Sequence, residues 1–163
     1  MSDPDCTAKG IPEHLHRAGR PVDPVFAPEE LLYRRFPVGT PDPASAISFE
    51  RMSVYRGKYC ESADDALWND RQGGRYDCFG VLAIPVSALE IREKHPQEDH
   101  QFTLKPEHKP ESCHYPHSEV VAIKVLGDGS EEPLLEIKPK SVKHALRKAL
   151  RDSISVVLAG KAV

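Results

Sequence analysis

The sequence predicts a single α+β domain, a mixed or mostly antiparallel sheet covered by a long C-terminal amphipathic helix and one or two short helices. Three observations carry that expectation. Residues 76–84 and 120–126 are dense in apolar and β-branched side chains over strand-like lengths. After Ser141, the residues Val142, Leu146, Leu150, Ile154 and Val157 recur at three- or four-residue spacing, the period of one helix face. Strand-like segments precede this helix and do not alternate with helices, an order that argues against a parallel α/β sheet.

The elements follow in chain order. Eight of the fifteen prolines fall between Pro4 and Pro43, and residues 1–27 show no apolar periodicity. They read as a proline-rich flexible arm, disordered or draped over the body, ahead of one globular domain at 28–163. Pro28, Glu29 and Glu30 suit the first turn of a short helix, where missing N–H donors and the positive dipole end are tolerated or favoured. Residues 31–36 continue that turn or begin a strand. Ile47, Phe49, Met52 and Val54 then suggest a strand with a bulge, because the alternation breaks after Phe49. Ser62 and Asp65 open a helix carrying Ala66, Leu67 and Trp68, closed at Gly73-Gly74. The 76–84 strand stops at Pro85, with a helical turn at 86–89 and a short strand at 101–104. The 120–126 strand turns at Gly127-Asp128-Gly129, and 134–137 is its expected hairpin partner.

Composition narrows the function. A formal net charge of −3 over 163 residues argues against a general nucleic-acid binder or a protein held on acidic membrane surfaces. The longest nearly unbroken apolar run, 79–86, is too short to cross a bilayer, and residues 1–10 lack an apolar leader. A soluble, cytoplasmic protein is expected. Cys6, Cys60, Cys78 and Cys113 are scattered without a CxxC pair, so free thiols are the first expectation and one disulfide the alternative.

Chemistry concentrates in two places. Residues 113–119 pack Cys113, His114, His117 and Glu119 just before a core strand, where side chains are rigidly held. His117 and Glu119 share a face on an extended strand, so the carboxylate can orient the imidazole for acid–base work. His114, His117 and Glu119 are therefore the catalytic candidates. Zinc is weighed and not expected. Cys113 and His117 would need further ligands from Cys60, Cys78 or His108, and no second pair stands at ligand spacing.

The second place is arginine-rich, and Arg34, Arg35, Ser53 and Arg56 are the anion-binding candidates, since a guanidinium fork matches phosphate and carboxylate geometry. Phosphate-loop, dinucleotide-fold and serine-elbow motifs are absent, and no cofactor is implied. Two functions remain. One is a non-catalytic protein-interaction or ligand-binding module, such as an accessory subunit of a larger assembly, engaging another protein through the arm or the terminal helix. The other is a small enzyme acting on a nucleotide or other phosphorylated substrate, with the arginines as anion pocket and the His/Glu set as acid–base residues.

Overall fold

The structure, a computed structural model, describes residues 2–160; Met1 and 161–163, the outer ends of the expected arm and domain, lie outside the described residues. The strands are β1 (Leu31–Pro37), β2 (Met52–Arg56), β3 (Phe79–Pro85), β4 (Glu93–Lys94), β5 (His100–His108), β6 (His117–Leu126), β7 (Glu131–Leu134) and β8 (Ser155–Leu158). They form one sheet in the order β4-β5-β6-β2-β1-β3-β8, with β7 also paired to β6. Every pairing is antiparallel. The α-helices are α1 (Pro4–Ala8) and α2 (Lys140–Arg151).

This corrects the expected fold class. Among the described residues the chain is mostly a curled antiparallel sheet with two α-helices, one of them short, and no long C-terminal helix covers the sheet. The apolar period after Ser141 runs through two different structures. α2 ends at Arg151, with Lys148 and Arg151 placed to complement the negative dipole end. Ile154 and Val157 keep the helical spacing only by coincidence. Ser155, Val156 and Leu158 pair with β3, and adjacent β-branched residues suit an extended strand better than a helix. Ser141 is not the cap either, since Pro139 precedes the first turn without a side-chain bond. The helix expected after Ser62 is a 3-10 turn, Ala63–Leu67, again with no side-chain cap.

Burial explains which strands could be read in advance. β3 is buried from Gly80 to Ile84, and β6 buries both of its faces between Val120 and Ile123. On the inner face Leu32, Val54, Leu82, Phe102 and Val120 pack with Val142, Leu146 and Leu150 of α2. Side chains alternate along a strand, so Tyr33, Arg35, Ser53 and Tyr55 project from the other face. Register aligns them: Tyr33 lies opposite Tyr55, Tyr55 opposite His117, and Ser53 opposite Glu119.

The N-terminal residues lie along this outer side. In α1, Asp3 accepts the N–H groups of Asp5 and Cys6, and Pro4 takes the first position, where no donor is needed. Cys6, Ile11 and Leu15 are buried in a small cluster of their own. Cys6 is disulfide-bonded to Cys113, with Cα atoms 5.3 Å apart. Free thiols are thus confined to Cys60 and Cys78, and Cys113 has no thiolate to offer zinc.

Candidate functional site

The outer face of β1, β2 and β6 carries a connected set of polar groups. His117 is the pivot. Its Nδ1 donates to the Lys109 carbonyl at 2.8 Å, which leaves Nε2 as the basic nitrogen of the neutral ring. That Nε2 meets the Ser53 hydroxyl at 3.3 Å and Glu111 Oε1 at 3.4 Å. The carboxylate beside His117 is therefore Glu111. Glu119 sits on the same face but turns to the Lys109 ammonium, 3.2 Å away.

Glu111 and Asp70 are hydrogen-bonding partners of like charge, an arrangement that favours one protonated carboxyl over two carboxylates. Burial and then the Asp70 hydrogen bond and charge push Glu111 up to about 7. Burial would also raise Asp70, but the hydrogen bond from Glu111, its own backbone N–H and the neighbouring histidines hold it below the ordinary carboxylate range. Two like charges at contact distance cannot both form freely, so the environment separates one acid from one carboxylate.

Arg35 supplies positive charge beside them. Its NH2 donates to the Tyr55 hydroxyl at 2.9 Å, and its guanidinium lies 4.2 Å from the Tyr76 ring centroid. Its NH1 is buried and has no hydrogen-bond partner. Burial raises the Tyr55 phenol to about 12, so it stays protonated. His114, 1% exposed, packs 4.4 Å from the Tyr55 ring. Its Nε2 donates to the Asp65 carbonyl at 2.9 Å while Nδ1 is unpartnered. Burial lowers this imidazole to about 4, so it is neutral near pH 7.

Four of the seven residues expected from sequence thus meet here: Arg35, Ser53, His114 and His117. Glu119 borders them. Arg34 projects to the other face and donates to the Ala46 and Ser53 carbonyls, and Arg56 is buried in an ion pair with Glu30. Neither guanidinium faces the cluster. Asp70 and Glu111 are the candidate groups in this cluster that the sequence reading does not include. Glu111 stands two residues before Cys113, so only the chosen edge of the polar run excluded it. Asp70 has no local signal. Its place is fixed by the turn in which Asn69 bonds Gly73 and Gly74, and by Lys9, whose Nζ donates to the Asp70 carbonyl.

A separate group, His95, Glu98 and His100, brings ligand-type atoms within 4.8 Å of one another. His95 Nδ1, however, already accepts the backbone N–H groups of Gln97 and Glu98. The ring proton then sits on Nε2, the reverse of a metal-binding histidine, which donates from its second nitrogen. The hairpin turn accounts for the cluster.

Glu111 and His114 act on stability with opposite signs. A carboxyl held at about 7 when folded binds a proton that the unfolded chain has released, so its contribution is lost as pH rises from about 4.5 through about 7. The buried imidazole refuses a proton that the unfolded chain accepts, so its contribution is lost as pH falls from about 6.5 toward about 4. His100 and His108, which burial also lowers, act with the same sign as His114, so the effect of each substitution is read as a change from the wild-type slope. Relative to wild type, Glu111→Gln should make the slope of stability against pH more positive, and His114→Gln should make it more negative. Urea midpoints across that range check both slopes. Each change is on the order of 1–3 kcal/mol, with Glu111 at the lower end because its carboxyl is partly hydrated and screened.

Comparison with protein-family models, with curated proteins and with solved structures finds no match to this chain. Among the described residues no helix is long and apolar enough to cross a membrane.

Proposed function

We propose that the chain is a small acid–base enzyme acting on an anionic substrate, with a nucleotide or other phosphorylated compound the class that best suits its arginine. The observation that carries this reading is the contact of His117 Nε2 with Glu111 Oε1 at 3.4 Å and with the Ser53 hydroxyl at 3.3 Å, beside the Asp70 carboxyl that pairs with Glu111. An acid held near 7 in contact with an imidazole nitrogen is a working pair for proton transfer. His117 takes a proton from a water or substrate hydroxyl, held also by Ser53. Glu111 delivers its proton to the leaving oxygen. The unpartnered NH1 of Arg35 binds the anion, and Tyr55 fixes the guanidinium in place.

Phosphate-ester turnover tests this directly, with a panel of nucleotides and aryl phosphates as substrates. Glu111→Gln should lower kcat by roughly 10²–10⁴-fold, the usual contribution of a positioned acid or base. Arg35→Met should raise KM, while Arg75→Met, which removes a cation resting near the Trp68 ring, should change neither. Absence of turnover by the wild type together with unchanged inorganic-phosphate binding in Arg35→Met would reject the reading.

The second reading, a non-catalytic interaction module, draws on β8. It is an edge strand whose Val156 and Val157 are 49% and 44% exposed, a template for an added strand. Partner recovery that falls with Val157→Lys, without any turnover, would favour it. The Cys6–Cys113 disulfide bears on location: such bonds are rare in reducing compartments, so an oxidising compartment or a redox-controlled role suits the chain better than a plain cytoplasmic one.

A further inference from the structure

We infer that the N-terminal segment is a strap over the candidate site, and that the redox state of the Cys6–Cys113 bond sets the geometry of His114, Glu111 and Asp70. The inference rests on the reading of that cluster as the functional site, and it concerns regulation, which that reading leaves open.

The strap holds the site from several sides. Cys113 and Tyr115 flank His114 in sequence, and both are bound to the strap: Cys113 by the disulfide, Tyr115 by its N–H to the Leu15 carbonyl at 2.7 Å and its hydroxyl to the Pro21 carbonyl at 2.6 Å. The Arg17 N–H donates to the Ser112 carbonyl at 2.9 Å, next to Glu111. On the other side, Lys9 Nζ donates to the Asp70 carbonyl at 2.9 Å. His14 Nε2 meets the Asp65 carboxylate at 2.8 Å, and the Asp65 carbonyl is the group that holds His114. The loops bearing both members of the carboxyl pair, and the anchor of the buried imidazole, are thus tied to one segment.

Besides these bonds and the Arg20 guanidinium 3.7 Å over the Tyr115 ring, the segment contributes little apolar packing. Its buried apolar side chains are Cys6, Ile11 and Leu15, packed with Cys113 and against Trp68. So small a cluster is a weak offset to the entropy of ordering the strap. The covalent bond offsets part of that entropy, because it closes a loop with a sequence separation of 107. Without it, the hydrogen bonds above exchange with water and the 109–117 region is released.

The switching step is thiol–disulfide exchange with a dithiol reductant. One thiolate of the reductant attacks a sulfur of the bond, giving a mixed disulfide. The second displaces it, leaving Cys6 and Cys113 as thiols and the reductant as a cyclic disulfide. Two electrons and two protons pass from reductant to protein. Both sulfurs are buried, Cys6 at 0% and Cys113 at 5% exposed, so attack requires local opening of the strap.

The experiment compares oxidised full-length protein with the same protein after dithiothreitol, in a Cys60→Ser/Cys78→Ser background so that thiol counting reports this bond alone. Reduction should raise peptide hydrogen exchange at least tenfold in residues 3–21 and 109–117 while leaving 120–126 protected. It should also move the Glu111 titration midpoint, and reoxidation should restore both. Cys6→Ser/Cys113→Ser should match the reduced protein; if that variant does not fold, the reversible chemical cycle decides. Complete reduction with unchanged exchange in 109–117 would overturn the inference, and so would a loosened strap with an unmoved Glu111 midpoint. Failure to turn over any phosphate ester while these shifts occur would count against the proposed reaction and leave the strap intact.

Discussion

Replacing Arg56 with alanine should lower the unfolding free energy by about 3–5 kcal/mol, the largest loss expected from a single substitution. Arg56 is 0% exposed. Its Nε and NH2 bind the two Glu30 carboxylate oxygens at 2.8 and 2.7 Å, a bidentate fork. NH1 and NH2 also donate to the Asp23 and Val25 carbonyls, and the guanidinium lies 3.8 Å from the Phe26 ring centroid. Asp23 is tied in turn to Lys58 and to the Tyr59 hydroxyl. Truncation strands the Glu30 carboxylate, 8% exposed, without a partner. The damage is the desolvated charge left behind more than the attraction lost. Hence Arg56→Met/Glu30→Leu should be closer to wild type than Arg56→Ala. Urea unfolding of the three proteins checks both statements, and a double variant no better than the single one would contradict the ion-pair account.

Removing the Cys6–Cys113 bond should cost about 2–5 kcal/mol. The bond closes a loop with a sequence separation of 107, so it restricts the unfolded chain strongly. In the folded protein it pins a segment whose own cluster is small. Thermal unfolding of Cys6→Ser/Cys113→Ser should show the lower midpoint, and a loss below about 1 kcal/mol would mean that the segment docks without the bond.

The sequence carries part of this structure, for reasons visible in single residues. The apolar runs around Val81 and Val121 announce strands because those strands are buried on both faces, which leaves little room for polar alternation. Two-residue periodicity then places Arg35, Ser53, Tyr55 and His117 on one outer face. Periodicity also separates Arg35 from Arg56, which follows Tyr55 and lies opposite Leu32 on the inner side; what it cannot do is say what either guanidinium binds. Both are arginines on neighbouring strands, and only the approach of Glu30 and the Asp23 region makes one of them structural. Asp70 is illegible for a similar reason: a loop fixed by tertiary contacts has no pattern of its own. Spacing alone extends the helix too far, because Ile154 and Val157 continue its period past Asp152, where the chain leaves helix for the β3 edge.

The measurement that bears most directly on the site is the titration of the Glu111 side-chain carboxyl by ¹³C NMR in the oxidised protein. A midpoint near 7 is expected, falling back toward the ordinary carboxylate range in Asp70→Asn, because the raised midpoint depends on the second carboxylate. A midpoint near 4.5 in the wild type, indifferent to Asp70→Asn, would contradict it.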